Sequence, residues 1–360
     1  MSLVATRLQN LRVNNPNFDR NMTRPQEYGA LDFFVQESNS PTGIVSPELK
    51  QKAFGSMGNT VEIPVIDYDG DVTVANVRSC TISDAENTSA LFTIVWATLA
   101  VGFTMVPSLY LNNEISYEHD WNRKVEKISR ALANELDSLA VAAFEARKTE
   151  VFQEQLYYTV SGNSVQVPWD LREDILSDIN SMMRANEYRG KIHLIGNAGV
   201  DSMIRKMAEK GLYNEVNKQL EYSDKVLHFT NNVVNDDDVF ATLYAVTEGN
   251  VGLITRVDRE AFLRSKYNEH EWDVVNLPYI GIPVGSHYYT SVGDQSAIAG
   301  DASADMTCNG KEHYGFSVDV CFLVAYNSDP SEIADPIIKA EIAKSDYDPV
   351  NSKPVYVING

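Results

Sequence analysis

Residues 117–148 read YEHDWNRKVEKISRALANELDSLAVAAFEARK, and this stretch decides the fold. Trp121, Val125, Ile128, Leu132, Leu136, Leu139 and Ala143 recur at spacings of 4, 3, 4, 4, 3 and 4. That is the spacing of one apolar stripe on an α-helix. Arg123, Lys127, Arg130, Asn134, Ser138 and Glu145 fall on the opposite side. Ser116 can cap the start, and Glu118 and Asp120 sit in the first turn, where the helix dipole favours anions. A helix from 117 to 147 is ~46 Å long at ~1.5 Å per residue. A single stripe over that length suits a helix lying across a sheet or a partner subunit. A coiled coil fits less well, because only about four heptads are present and Val141 interrupts the polar face.

On the N-terminal side, Ser89 to Asn113 carry no charge: SALFTIVWATLAVGFTMVPSLYLNN. The run is long enough to span a bilayer. It holds Thr93, Thr98, Thr104, Gly102 and Pro107, and its flanks are Asp84, Glu86 and Glu114 instead of Lys/Arg clusters. Its β-branched and aromatic content predicts a buried strand pair broken near Gly102. Upstream, Val61, Ile63 and Val65 alternate before a turn at Asp69-Gly70, and Val72, Val74 and Val77 follow, which predicts a hairpin over 60–77. Residues 51–100 together predict a two-stranded extension with a polar tip. Residues 51–58 (QKAFGSMG) read as a hinge, and residues 1–50 as an irregular arm. Within that arm, Leu31-Asp32-Phe33-Phe34-Val35 is an apolar knot that can pin it to something. The first residues, MSLVATRLQNLRVNNPNF, have no signal-peptide apolar region.

On the C-terminal side, a helix is expected over Asp170–Asn186, then strand and helix alternate. Strands are expected at 191–196, 226–230, 239–247 and 250–254, with helices from Asp201 to Lys210 and over 258–267. Residues 272–313 read as loop-rich. GFSVDVCFLVAY (315–326) alternates as a closing strand, and helix is expected over 331–344.

Composition bounds the function. Of 360 residues, 44% are hydrophobic, which is ample for a core and excludes a disordered chain, a collagen or a disulfide scaffold. Lys+Arg 30 against Asp+Glu 50 leaves a net charge of −20, which argues against a protein that grips nucleic acid through a basic face. Cys80, Cys308 and Cys321 lie far apart, as expected of a reducing compartment.

No motif is complete. Asp67, Asp69 and Asp71 start like a calcium loop, but the twelfth position is Arg78 and the flanks read as strands. His270-Glu271 lacks the second histidine of a zinc helix, because position 274 is Val. Ser286-His287 is not in a nucleophile elbow, and neither phosphate-binding glycine motif is present. Asp236-Asp237-Asp238 reads as a solvated loop. No cofactor and no metal are expected, and the chain reads as no enzyme.

The order of parts resembles the major capsid proteins of tailed bacteriophages, which share the Hong Kong 97-type fold. Lys127-Ile-Ser-Arg-Ala-Leu-Ala-Asn-Glu-Leu-Asp137 is similar to that family's recurring Leu-Ala-x-x-Leu-Asp run. The resemblance implies an α+β chain with an N-terminal arm over 1–50 and an extended β-loop with its return strand over 51–100. A peripheral domain over 101–187 would hold the spine helix, 117–148. An axial domain would cover 188–310, and 311–360 would return to the peripheral domain and end in a tail. It implies a structural subunit that self-assembles as hexamers and pentamers into an icosahedral shell. That shell would enclose double-stranded DNA without sequence-specific contact, alongside portal and accessory capsid proteins, and without a membrane. The place would be the virion, after assembly in the host cytoplasm. A −20 subunit is compatible with enclosing DNA without adhering to it. Two alternatives stay open: an encapsulin-like nanocompartment shell, which would hold enzyme cargo, and a soluble acidic α/β hydrolase with a pocket in 190–310. Candidate inter-subunit contacts are Leu31, Phe33, Phe34, Arg78, Trp96 and Trp121.

Overall fold

A computed structural model describes residues 2–14, 28–40, 44–55, 60–66, 89–110, 116–148, 158–209, 213–214, 219–220, 225–292, 310–325 and 336–344. The segment expected to be an irregular arm is largely helical: α1 (Leu3–Asn14), α2 (Gly29–Asn39) and α3 (Pro47–Gly55). In α2, Leu31, Phe33 and Phe34 are fully buried, so the apolar knot does pin this segment. Helix wins there because i, i+3 spacing sets Ala30, Phe33, Phe34 and Glu37 on faces that other elements cover. Gly29 opens α2 where a Cβ would lie 2.4 Å from the Phe229 carbonyl oxygen, a distance only glycine permits. Helix α3 takes up most of the expected hinge.

Strand β1 (Thr60–Ile66) is present, but its antiparallel partner is β2 (Ser89–Val95), from Thr60 opposite Val95 to Ile66 opposite Ser89. This corrects the expected hairpin closed by 72–77. The turn at Asp69-Gly70, the three aspartates of the calcium-like start and Arg78 lie outside the described residues. The uncharged run is not a strand pair broken at Gly102. It divides at Trp96 into β2 and β3 (Ala97–Met105), and the two belong to different sheets. Gly102 lies inside β3, where a Cβ would come within 2.7 Å of the Tyr314 carbonyl oxygen. No helix among the described residues is long and apolar enough to cross a membrane.

Helix α4 (Tyr117–Ala146) matches the expected span, and the Ser116 hydroxyl accepts from the His119 amide at 3.2 Å. Its buried stripe runs Trp121, Val125, Ile128, Leu132, Leu136, Ala140, Phe144. The last two replace the expected Leu139 and Ala143, because α2 covers the helix's C-terminal half and draws Phe144 under Phe34, with ring centroids 5.0 Å apart.

The strands then divide between two sheets. β4 (Thr159–Ser161) and β5 (Ser164–Val167) precede α5 (Ile175–Ala185), a shorter helix than expected behind a 3₁₀ turn at 169–171. β6 (Ile192–Gly196), α6 (Ala198–Glu209), β7 (Tyr213–Asn214), β8 (Gln219–Leu220), β9 (Lys225–Phe229) and β10 (Val239–Thr247) follow. Next come β11 (Val251–Arg256), a single turn α7 (Arg259–Phe262), and β12 (Lys266–Tyr267). β13 (His270–Asn276), β14 (Pro283–Val292) and β15 (Gly310–Val324) occupy the region expected to be loop-rich, and β16 (Ile337–Ala343) lies where helix was expected.

One sheet orders β4-β5-β16-β10-β6-β9-β8-β7, and it is mixed, with β16–β5 and β6–β9 parallel. The other orders β11-β15-β14-β13-β12, with β3 along the other side of β15. The fold class is therefore α+β. β16 is a strand because Ile338, Ala340 and Ile342 face the first sheet's core while Lys339 and Glu341 point the other way. Period 2 with that polar partnering overrides the helical signal: Lys339 Nζ lies 3.1 Å from Glu145 and 2.8 Å from Glu341. The expected unit 188–310 is divided, since β11, β13 and β14 join β3 and β15 and pack with α4. Conversely β16 leaves 311–360 for the sheet of β6 and β10.

Candidate assembly surface

Among the described residues, the β1–β2 ribbon is the one pair of strands outside both larger sheets. Among the described residues its strands pair only with each other, and the Val95 amide bonds the Cys321 sulfur of β15. Its foot is anchored: Ile94 is fully buried with Val45, Ala53, Ile254, Cys321 and Leu323. Next to it Val95 is 72% exposed, and Glu62 and Thr93 also face out. The other exposed apolar side chains include Leu109, Val234, and a group of three, Phe262, Leu263 and Tyr267, around α7.

The expected contact residues separate sharply. Leu31, Phe33 and Phe34 are wholly inside, with Phe33 against Phe144 and the His193 ring at 4.5 Å, so their side chains leave no surface for a neighbour. The cause is a set of polar ties that seat α2. The buried Asp137 carboxylate of α4 accepts from the Leu31 amide at 2.9 Å and from Asn232 and Thr230. Glu37 accepts from the Gly249 amide at 2.8 Å. Burial raises the Asp137 pKa, and the bonds from Thr230, Leu31, Asn232 and Ala30 oppose that rise.

Trp121 is also inside the chain, edge-on to Phe103 and Tyr314. Trp96 is half-buried at the ribbon's foot beneath the Arg256 guanidinium, 4.6 Å from the ring centre. Arg256 in turn forks onto Asp319 at 2.9 and 2.8 Å. Of the six candidates, Trp96 alone is described and retains open surface.

Neither Ser286-His287 nor His270-Glu271 is brought together as a pair. Ser286 and His287 are successive residues of β14 and project to opposite faces. The Ser286 hydroxyl bonds the Asp273 carbonyl at 3.1 Å on the inner side, while His287 meets His270 on the outer side. His270 and Glu271 are parted in the same way. No three His, Cys, Asp or Glu side chains among the described residues gather closely enough to hold a metal ion. An open hollow of about 410 Å³ lies on the outer face over Gly102, Gly285 and Gly315, beside Trp272 and His287.

Two features escaped the sequence reading. One is the seat of α1, where Arg7 bonds Tyr117 at 2.7 Å and also Tyr314, and lies 3.6 Å from Glu312. Burial alone would lower the Arg7 pKa, but Tyr314, Tyr117 and Glu312 outweigh it and raise it. The other is the ring-rich outer face of β13–β14–β15. HEWDVVN and PVGSHYYTSV do alternate, and that period was the available signal.

No protein-family model matches the chain, and no curated protein matches it. Solved structures of phage proteins are similar to it over most of its length. One from Mycobacterium phage Bobi is 12% identical with a TM-score of 0.49, covering 90% of this chain and 94% of that one. A capsid structure of the cyanophage P-SCSP1u is 10% identical with a TM-score of 0.46, covering 81% and 85%. The asymmetric unit of the bacteriophage PhiM1 mature capsid is 8% identical with a TM-score of 0.46, covering 80% and 83%.

Proposed function

We propose that this chain is a non-enzymatic shell subunit of the Hong Kong 97 type, which assembles with copies of itself into the capsid of a tailed phage around its DNA. The observation that carries the proposal is the self-paired β1–β2 ribbon, joined to its own body at Ile94. An isolated two-stranded ribbon is at best marginally stable in water. A neighbouring subunit supplies the missing surface, and closed symmetry makes every ribbon both donor and recipient. The rest of the chain supports the same reading. A 30-residue helix lies across one sheet, and a second mixed sheet carries α5 and α6. The place of action is the virion, with portal and accessory proteins as further partners.

Electron microscopy of the purified protein tests this. Rings or closed shells are expected. Monomers alone at high concentration in every salt overturn it, and shells filled with enzyme instead of DNA redirect it to a nanocompartment. Trypsin sharpens the test at Arg78: cleavage is expected in dissociated subunits and slower in particles. Equal rates in both states remove the ribbon from the interface.

A further inference from the structure

Six histidines occur in the chain, and two of them meet head-on at the margin of the six-stranded sheet. His270 Nδ1 and His287 Nε2 are 2.8 Å apart, with the rings within 18° of coplanar and their centroids 5.1 Å apart. At that separation one nitrogen donates and the other must present its lone pair. The pair therefore holds one hydrogen between its facing nitrogens. Adding a second sets N–H against N–H between two cations.

The strand that carries His270 is exposed to the consequence. β13 pairs with β14 on one side and only with the two-residue β12 on the other. Its opposite face holds the start of α1. The Ser2 amide donates to Asp273 at 3.2 Å and the Leu3 amide to Glu271 at 3.4 Å. Among the described side chains of that helix, Val4 and Leu8 are buried.

We propose that His270 and His287 form a one-proton latch between β13 and β14, and that acidification opens the latch and loosens the seat of α1 with it. The groups around the pair are compatible with this. From α7 and the residue before it come Asp258 and Glu260; Asp258 favours a charged His287, while burial and His270 oppose one more strongly. On β14, Tyr289 lies along His270 with ring centroids 4.8 Å apart. On β15, His313 stacks on Tyr289 with ring centroids 4.4 Å apart, and burial together with the Lys311 cation lowers its pKa, which favours its neutral form. The remaining charges of β12 and β13 are already matched: Lys266 with Glu271 at 2.6 Å, and Arg264 with Asp273 at 3.4 Å.

The sign follows from proton counting. Two unfolded imidazoles each bind a proton near pH ~6.5. The latched pair resists the second, so the folded state binds fewer protons below that pH. The latch's contribution is complete above pH ~6.5 and is lost as pH falls through the pair's second step.

Full-length protein carrying ¹³C-labelled histidine, titrated by NMR, reads the pair directly. Its two steps are expected to separate by about one pH unit or more. Two independent imidazoles titrating as exposed histidines overturn the proposal. Hydrogen exchange, corrected for intrinsic rates, is the second readout. Between pH 7.5 and 5.5, amides of 2–9 and 270–276 are expected to gain on the order of tenfold in exchange, as a one-unit separation implies. His287→Gln removes that gain and His313→Gln keeps it. An undiminished gain in His287→Gln overturns the proposal, and should that variant fail to fold, the wild-type titration still decides. None of these readouts depends on shell assembly.

Discussion

Helix α2 and the β1–β2 ribbon start from similar material and end in opposite places. Both are short, apolar segments N-terminal to the long helix: GALDFFVQESN in one case, TVEIPVI and SALFTIV in the other. Helix α2 is enclosed by α4, β9 and β11 of its own chain, with Leu31, Phe33 and Phe34 at 0% exposure. The ribbon leaves the body at Ile94 and, among the described residues, pairs with no other strand. The difference lies in the polar ties. Asp137, Glu37 and the glycine contact at Phe229 hold α2 in one orientation, whereas among the described residues the ribbon's strands pair only with each other. Apolar content thus tells that a segment will be covered, and the satisfied polar groups around it tell by whom.

The largest expected effect is at Phe33. Phe33→Ala empties a fully buried ring site and is expected to destabilise the subunit by about 3–5 kcal/mol in a denaturant titration. A loss below about 1 kcal/mol would mean that α2 is not integral to the core. Next is Asp137→Ala, which strands the Leu31 amide and the Thr230 and Asn232 side chains, for about 2–3 kcal/mol. Hydrogen exchange should then rise in 29–39 before it rises in α5. Uniform exchange would show that Asp137 does not act through α2.

At the ribbon's foot, Arg256→Ala removes the cation above Trp96 and leaves Asp319 without its fork. About 1–2 kcal/mol is expected, with the fluorescence of Trp96 shifted to the red. An unchanged spectrum would detach Trp96 from that contact. The smallest effect on the subunit is at Val95. Val95→Asp is expected to change its stability by no more than about 0.5 kcal/mol, because the side chain is 72% exposed. Particle yield should fall in the same variant. Full yield would place this side of the ribbon outside the interface and erase the contrast with α2.

How much could be read in advance differs from element to element. The 30-residue helix, its Ser116 cap and five of its seven stripe positions were legible, because a 3.6-residue period over eight turns has no competing explanation. The strand character of 192–196, 239–247 and 251–256 was legible for the same local reason. The run 337–343 was not. Ile337, Ile338 and Ile342 fit a helical or a strand period, and the vacancy between β5 and β10 settled the choice. In 272–313, glycine, serine and tyrosine masked a strand alternation whose outer positions are His270, Trp272, His287 and Tyr289. As contact candidates, Leu31, Phe33, Phe34 and Trp121 were selected for being large and apolar, which marks an interior as readily as an interface.

By itself the sequence determined the long amphipathic helix, the existence of an uncharged β-rich run from 89 to 113, the −20 charge and the absence of any complete catalytic motif. These are properties of neighbours along the chain or of its sum. The tertiary structure decided that β2 turns back to β1, that β3 and β15 are adjacent, and that β16 closes the other sheet. It also brought His270 against His287. Each of these depends on contacts between residues far apart in sequence. For them, register and shared burial outweigh local preference, since a strand's stability resides in the partner it finds.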